Sequence, residues 1–391
     1  MIDTKFFSRF LIAACLMVAM AACGSDEPAD PSGGNTDSGK TEPTPTETLE
    51  SAKEGRICLA YAPYYRTNLL PNPAIVTHIN YAFAEVYVTN GEYKAFKLQG
   101  NNNEAQFRKV VDLKKQNPKL KICLSFSHTV DNSDNQQAGG FSDIAASDDN
   151  RRRFAADCLA FVKRWGIDGI DLDWEFPGIS WSGAKCDPAH DVDNFTLLVK
   201  QLRETLGNQY LLTFAGYVMD KQPTAGGWRY IDLKAVLPYV DFINIMTYDL
   251  QANKPHSAVD QPSAYWDIER TRKAYLAAGV PYEKMVLGIP FYVRHSFEGA
   301  NSAVDWKDLN ALAASDKAYK IDNWDSEAQT PYVTYNGQFW GGYDNPESIA
   351  KKGRRYIGGF GMKGMLYWDS GADDARYTLA KACWNAVMKS Y

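Results

Sequence analysis

The residues with the clearest capacity for chemistry form a row of acids in the segment Asp168–Glu175, which reads DGIDLDWE. Side chains alternate between the two faces of a β-strand, so Asp171, Asp173 and Glu175 would share one face. Three acids on one inward face are costly unless they are paired, hydrogen-bonded or protonated. The row therefore indicates a functional site rather than a requirement of the fold.

Two kinds of chemistry suit such a row. Three carboxylates could hold a divalent cation. Alternatively, like charges in series keep at least one proton bound near neutral pH. Glu175, at the end of the strand, would then be a general acid whose pKa is raised by Asp173. The five histidines show no metal-binding spacing, and we expect neither a metal nor a cofactor.

The elements that would position these acids alternate from Arg56 onward. Strands are predicted over Arg56–Ala62, Val76–Ala84, Lys119–Phe126, Ile167–Glu175, Tyr210–Tyr217, Val240–Tyr248, Lys284–Phe291 and Met362–Asp369. Helical spacing is clearest for two sets: Phe154, Cys158, Phe161 and Trp165, and Phe195, Leu198, Val199 and Leu202. Eight alternating units predict a (β/α)8 barrel with its site at the C-terminal strand ends. The long connection 293–353 predicts a small insertion after the seventh strand.

The N-terminal segment has the features of an export signal. Lys5 and Arg9 flank the start of an apolar run, 10–22, that is too short to span a bilayer. Met20-Ala-Ala-Cys23 resembles a bacterial lipoprotein signal, with Cys23 as the lipidated residue; plain secretion or a periplasmic location is the alternative. We therefore divide the chain into a signal (1–22), a disordered linker (23–55) and a barrel (56–391). The expected location is the outer membrane or cell surface, with the lipid as the only membrane contact.

Composition excludes other classes of protein. With 45% hydrophobic residues and a net charge of -5, the 391-residue chain is neither disordered nor a typical nucleic-acid binder. The five cysteines beyond Cys23 lack C-x-x-C spacing, which predicts no disulfide framework. The basic run Lys351, Lys352, Arg354 and Arg355 is interpreted as a solvated helix face.

Five segments, in order, carry a family resemblance. The acid row, followed by Phe-Pro-Gly, resembles the fourth-strand D-G-x-D-x-D-x-E signature of glycoside hydrolase family 18, the chitinase-like family. The other matching segments are His78–Ala84 (second strand), Asn244–Asp249 (M-x-Y-D), Gly288–Arg294 (G-x-P-x-Y-G-R) and Trp368 (sugar platform). The family resemblance covers most of the chain from Arg56 onward and implies the same barrel.

The resemblance implies hydrolysis of β-1,4 links between N-acetylglucosamine units with help from the substrate's own acetamido group. Glu175 would protonate the glycosidic oxygen, Asp173 would orient the acetamido N–H, and Asp171 would share a proton with Asp173. Tyr248 would donate to the acetamido oxygen. Substrate contacts are implied for Trp368, Met246, Asp249, Tyr292, Arg294 and Phe83. Tyr61 and Ser125 would support Asp171, while Asp168, on the opposite parity, would hydrogen-bond at the strand start.

The sequence departs from the family at two places. Ser125-Phe126-Ser127-His128 replaces the usual S-x-G-G, and Val293 replaces a glycine. Two alternative functions stay open, namely an endo-β-N-acetylglucosaminidase acting on N-glycan cores and a non-catalytic glycan-binding protein. The expected partner in each case is a polysaccharide or glycan containing N-acetylglucosamine, bound by a monomer.

Overall fold

The computed structural model describes residues 48–128, 140–179, 185–218, 230–264, 266–299 and 301–391. Its strands are β1 (Ile57–Pro63), β2 (His78–Thr89), β3 (Glu92–Leu98), β4 (Lys121–Ser127), β5 (Gly169–Asp173), β6 (Leu211–Tyr217), β7 (Phe242–Met246), β8 (Met285–Pro290), β9 (Tyr292–Arg294), β10 (Ala303–Asp305), β11 (Tyr319–Asp325), β12 (Thr330–Tyr335), β13 (Gln338–Gly342) and β14 (Gly364–Trp368). Its helices are α1 (Gln99–Asn102), α2 (Glu104–Val111), α3 (Phe141–Ala146), α4 (Asp148–Trp165), α5 (Asp191–Leu206), α6 (Leu233–Val236), α7 (Ile268–Ala277), α8 (Leu309–Ser315), α9 (Pro346–Lys352) and α10 (Thr378–Met388). The predicted signal, Cys23 and the linker up to residue 47 lie outside the described residues.

Eight parallel strands close into a barrel, as predicted. Their order is β1-β2-β4-β5-β6-β7-β8-β14, and β14 pairs with β1 to complete the ring. Each of the eight predicted strands corresponds to one of these strands within a few residues. Because all eight run in the same direction, their C-terminal ends meet at one mouth.

Amphipathic helices cover the outside of this barrel. In α4 the side chains of Phe154, Cys158 and Trp165 are buried, at the spacing of one helical face. Ser147 caps its start by accepting the Asn150 N–H, and a left-handed glycine ends it. Its two ends are therefore set by these capping residues. Its buried face covers the strand that carries the acids.

One hairpin was not predicted. Strand β2 continues to Thr89 and turns back antiparallel as β3 through Asn90 and Gly91, both with positive φ. Asn-Gly is the preferred pair for a two-residue hairpin turn, so this signal was present in the sequence. The hairpin extends the barrel sheet beyond its mouth beside β4.

The predicted insertion is a separate five-stranded antiparallel sheet between β8 and β14. Its strand order is β10-β9-β13-β12-β11, with α8 packed on one face. Val293, Leu309, Val333 and Tyr343 form its own small core. The region is therefore a folded subdomain on the seventh loop, in agreement with the prediction.

The interpretation of the basic run as a solvated face is wrong for one of its residues. Lys351, Arg354 and Arg355 are exposed, but Lys352 is 0% exposed. Its Nζ lies 2.7 Å from the equally buried Asp344 carboxylate. The Ser257 hydroxyl, from the loop after β7, donates to the same carboxylate at 2.6 Å. This ion pair therefore joins the returning end of the insertion to the barrel.

Several features of the described residues bear on the predicted chemistry and location. Cys58, Cys123, Cys158 and Cys383 are buried free thiols, and Cys186 is a partly exposed one. Within the described ranges, no His, Cys, Asp and Glu side chains are grouped to hold a metal ion. No helix among these residues combines the length and apolarity needed to cross a bilayer.

Replacing Asp344 with Ala should lower the free energy of unfolding by about 3–5 kcal/mol, because it leaves the buried Lys352 cation unpaired. Chemical denaturation followed by tryptophan fluorescence measures the loss. The double variant Asp344→Leu, Lys352→Met is the matched control and should lose less than the single variant. A single-variant loss below about 1 kcal/mol, the range of an exposed pair, would contradict the buried ion pair.

Candidate active site

The acid row lies at the mouth of the barrel, on and just beyond β5. The strand ends at Asp173, so Glu175 follows the strand instead of closing it as predicted. Asp171 and Asp173 are buried, and Glu175 is half-buried. The Glu175–Phe176 peptide is cis, as are Ala82–Phe83 and Trp368–Asp369.

Asp171 is the fully satisfied member of the row. Four donors from four different strands reach its carboxylate: Tyr61 (2.9 Å), Ser125 (2.7 Å), Thr213 (2.5 Å) and Asn244 (3.0 Å). Burial raises its pKa, and these hydrogen bonds oppose that rise. The donors fix Asp171 in the barrel interior directly below the rest of the row.

Asp173 lies in a different environment. It is 7% exposed, and its Oδ1 has no hydrogen-bond partner among the described residues. Burial first, and then the charges of Glu175 and Asp171, raise its pKa well above the usual range. Burial and the two neighbouring acids therefore favour the protonated form of Asp173.

Glu175 meets the requirement for a general acid at neutral pH. Burial, followed by the nearby charge of Asp249, raises its pKa from 4.5 to about 7. The side chain of Tyr248 interacts electrostatically with Asp173, Asp249 and Glu175, and burial raises its pKa well above 10. The Tyr248 hydroxyl thus stays a neutral donor among the acids.

Asp249 supplies a fixed negative charge at this site. The Arg294 guanidinium donates to both of its carboxylate oxygens, at 2.8 and 2.9 Å. Despite burial, the charge of Arg294 and its hydrogen bonds hold the pKa of Asp249 well below the usual range. The predicted contacts Asp249 and Arg294 therefore form one bidentate ion pair beside the acid row.

Aromatic side chains form the floor on the other side of the mouth. Trp368, half-buried at the end of β14, stacks on Phe83 with ring centroids 5.7 Å apart. Tyr61 lies 5.6 Å from the same indole. An indole face of this kind can support the apolar face of a pyranose ring.

Close packing under Tyr248 depends on a glycine. A Cβ at Gly288 would lie 2.8 Å from Cε1 of Tyr248 and 2.5 Å from the Ile245 carbonyl oxygen. Tyr292 meets Tyr248 edge-on, with centroids 6.4 Å apart. Met246, largely buried at the end of β7, completes the group of predicted contacts.

The segment at the end of β4, where Ser127-His128 stands in place of the family's Gly-Gly, brings a histidine close to the acid row. His128 is buried, and its Nδ1 lies 3.4 Å from the Asp173 carbonyl oxygen. Burial lowers its pKa to about 4, so the ring is neutral at the pH where Glu175 titrates. The residues that follow, 129–139, lie outside the described ranges.

Asp168 is the one predicted residue that lies away from this cluster. It sits before β5, at the opposite end of the strand, and accepts from Lys114 (2.6 Å), Lys121 (3.1 Å) and the Ile122 N–H (2.9 Å). Asp168 was expected to hydrogen-bond at the start of the strand, because its side chain lies on the opposite face from Asp171, and these contacts agree. It has no contact with the acids at the mouth.

Two residues that hold Asp171 were not predicted. Thr213 pairs directly with Asp171 in the β5–β6 register, and Asn244 reaches Asp171 from β7. Both are polar residues inside otherwise apolar strands, LLTFAGY and FINIM. Because buried polar side chains are usually hydrogen-bonded, a polar residue at an inward strand position could have indicated these contacts.

The fold and the acid row together define a family 18-type glycosidase barrel, and sequence comparison agrees. A profile of the family described as Glycosyl hydrolases family 18 matches residues 57–373. The chain belongs to this family.

Individual relatives are distant. Chitinase A1 of Niallia circulans is 28% identical, covering 85% of this chain and 58% of its own, and a probable endochitinase of Caenorhabditis elegans is 28% identical, covering 77% and 52%. The chain thus spans little more than half the length of these two relatives. A solved family 18 N-acetylglucosaminidase from Paenibacillus barengoltzii has 27% identity and a TM-score of 0.69, covering 85% of this chain and 99% of the other.

The raised pKa of Glu175 makes a prediction about stability. Between pH 4.5 and about 7 the folded state binds more protons than the unfolded state, so stability falls as pH rises through this window. A pKa shift of this size corresponds to a loss of about 3 kcal/mol in the free energy of unfolding. Because Glu175 is partly exposed, we expect a loss of about 2 kcal/mol. Glu175→Gln should therefore stabilise the fold by about 2 kcal/mol at pH 8 and have little effect at pH 4.

Denaturation at both pH values measures this difference. Glu204→Gln, at an exposed position on α5, removes the same charge and should leave stability within about 0.5 kcal/mol at either pH. Equal effects of the two substitutions at pH 8 would show that Glu175 carries no burial penalty.

Proposed function

We propose that this chain hydrolyses β-1,4 links between N-acetylglucosamine units in chitin or chitooligosaccharides with retention of configuration. The observation that carries the proposal is the difference between two adjacent acids. Asp171 has four donors, whereas Asp173 has an unpartnered oxygen among the described residues and neighbours a Glu175 whose pKa is about 7. Relatives named as chitinases support the same substrate class.

In the proposed reaction, Glu175 donates its proton to the glycosidic oxygen as the bond to the anomeric carbon breaks. The oxygen of the substrate's 2-acetamido group attacks that carbon and forms an oxazolinium ion. Asp173 passes its shared proton to Asp171, accepts the acetamido N–H as a carboxylate and balances the positive charge that develops. The Glu175 carboxylate then takes a proton from a water molecule whose oxygen attacks the anomeric carbon. The bond from that carbon to the acetamido oxygen breaks, which regenerates the acetamido group and the protonated Glu175.

The remaining residues bind and orient the sugar. Tyr248 donates a hydrogen bond to the acetamido oxygen, which aims it at the anomeric carbon. Trp368 supports the apolar face of the sugar, and Phe83 stacks behind the indole. Met246, Tyr292 and the Asp249–Arg294 pair form the wall on the β7 and β8 side. Positioning of this kind accounts for much of the rate gained in an intramolecular attack.

Glu175→Gln should lower kcat on an N-acetylglucosamine hexamer by at least about 10²–10⁴-fold, the contribution of a positioned general acid. Reducing-end release measures turnover, and Glu204→Gln is again the matched control. Full activity of Glu175→Gln would refute the proposal. Tight hexamer binding by the wild-type protein without release of reducing ends would instead support the non-catalytic glycan-binding alternative.

Activity should also fall as pH rises through about 7, because Glu175 must carry its proton at the start of the reaction. The pH dependence of kcat/KM reports this ionisation in the free enzyme. A kcat/KM that stays constant to pH 9 would exclude Glu175 as an acid with the raised pKa described above.

A second candidate is cleavage of the chitobiose core of N-glycans by an endo-β-N-acetylglucosaminidase activity. The Paenibacillus barengoltzii structure, described as an N-acetylglucosaminidase, is the observation that favours considering it. Parallel assays with chitooligosaccharides and a high-mannose glycoprotein separate the two. Faster cleavage of the glycoprotein would replace chitin as the proposed substrate.

We also propose that the protein is exported and anchored at the cell surface or outer membrane through lipid on Cys23. The support is the apolar run ending in Met20-Ala-Ala-Cys23 and the polar linker that follows. Labelling with a fatty-acid analogue should mark the wild-type protein and spare Cys23→Ser. Equal labelling would show that lipid is attached elsewhere than Cys23, and no label in either protein would favour plain secretion or a periplasmic location.

A further inference from the structure

The turn that carries Tyr248 and Asp249 has an unusual backbone. Asp249 has a φ of 57°, in the left-handed region that residues with a side chain seldom adopt. Such a conformation persists only where surrounding contacts hold it. Here the Asp249 carbonyl accepts the Tyr217 hydroxyl at 2.8 Å, and Arg294 holds the carboxylate.

The remaining contact comes from a histidine in the loop that follows β7. The backbone N–H of Asp249 donates to Nδ1 of His256 at 3.0 Å, and His256 is 0% exposed. An N–H can be accepted only by an unprotonated nitrogen, so the neutral ring carries its proton on Nε2. That Nε2 has no hydrogen-bond partner among the described residues. The contact with the Asp249 N–H therefore orients this buried ring.

The insertion subdomain packs against the backbone at His256. Gly342, at the end of β13, packs so closely that a Cβ there would lie 2.6 Å from Cα of Pro255 and 3.1 Å from the backbone nitrogen of His256. The His256 carbonyl accepts the Leu250 N–H at 3.1 Å. The backbone of His256 is thus held by the insertion on one side and by Leu250, next to the turn, on the other.

We propose that His256 is a positioning residue whose unprotonated Nδ1 holds the Asp249 N–H and thereby fixes Tyr248 and the Asp249 carboxylate against Glu175. The inference rests on the proposed function and deepens it, because it assigns part of the acid's environment to a residue that does not touch the substrate.

Protonation of His256 would reverse this contact. A proton on Nδ1 would oppose the Asp249 N–H and turn instead toward Oδ1 of Asp249, which lies 3.3 Å away. The groups that face the ring are Asp249, Arg294, Asp344 and the Tyr292 ring, whose centroid is 5.3 Å away. Burial and Arg294 lower the His256 pKa, while Asp249 and Asp344 oppose this. The net lowering keeps the ring in its neutral, accepting form.

The contact has a consequence that a merely structural role would not have. After burial, the Asp249 charge is the cause that raises the pKa of Glu175. If the turn relaxes and Asp249 moves away, Glu175 loses its proton at lower pH. The alkaline limb of kcat/KM should then move to lower pH while the acid itself is still present.

Two amide replacements of His256 separate the positioning role from simple packing. In His256→Asn the amide oxygen can occupy the place of Nδ1 and accept the Asp249 N–H. In His256→Gln the amide oxygen falls near Nε2 and leaves that N–H unpaired. His190→Asn, at an exposed position, is the surface control.

We expect His256→Gln to lower kcat by about 10–100-fold, the cost of a misplaced catalytic group, and to move the alkaline limb to lower pH. His256→Asn should recover most of kcat and keep the limb near that of the wild type. The thermal midpoints of both variants are measured alongside, so that a loss of fold is visible.

Equal losses in the two variants with an unchanged alkaline limb would overturn the proposal, because packing alone would then explain them. Wild-type kcat and pH dependence in His256→Gln would overturn it as well. These outcomes require an active wild-type protein, and so they are distinct from failure of the proposed function, in which the wild-type protein itself would release no sugar.

Discussion

Proton sharing along one buried row of carboxyl groups is the constraint on which the rest of this structure depends. Asp171, Asp173 and Glu175 cannot all be charged so close together in a largely buried barrel mouth. The barrel supplies four donors to the lowest acid and leaves an oxygen of the middle one unpartnered within the described residues. The charge is therefore accommodated below, and protons are retained above, where a substrate can reach them. In the proposed reaction, this distribution of charge and protons keeps Glu175 protonated, so that it can act as the acid.

The insertion contributes to the same site, although it lies on the side of the barrel away from β5. Its last strand packs Gly342 against Pro255 and His256, and the buried Asp344–Lys352 pair binds Ser257. The loop after β7 is held in this way, and that loop carries the Tyr248–Asp249 turn. In the proposed arrangement, the insertion therefore helps to fix the position of the Asp249 charge beside Glu175.

Much of this arrangement was predictable from sequence, because each prediction depended on short-range periodicity or on a motif within one strand. The eight strands, the insertion and the shared face of Asp171 and Asp173 followed from such patterns. Other contacts join separate strands and loops, as for Thr213, Asn244 and His256. They depend on how the strands are aligned with one another, which cannot be read from a single sequence. Lys352 was misjudged because three neighbours in its basic run are exposed, and only the tertiary partner Asp344 explains its burial. The end of β5 at Asp173 was likewise set by the turn at Glu175 rather than by strand propensity.

The central claim is that the acid row protonates a leaving group while the substrate's acetamido group, rather than water, attacks first. The most direct test is proton NMR of an N-acetylglucosamine hexamer during the first minutes of cleavage, which reports the anomer formed before mutarotation. A double displacement gives a newly formed β-anomer at the cleavage site. An α-anomer would mean that water attacks directly, and it would contradict the proposed role of Asp173 and Tyr248.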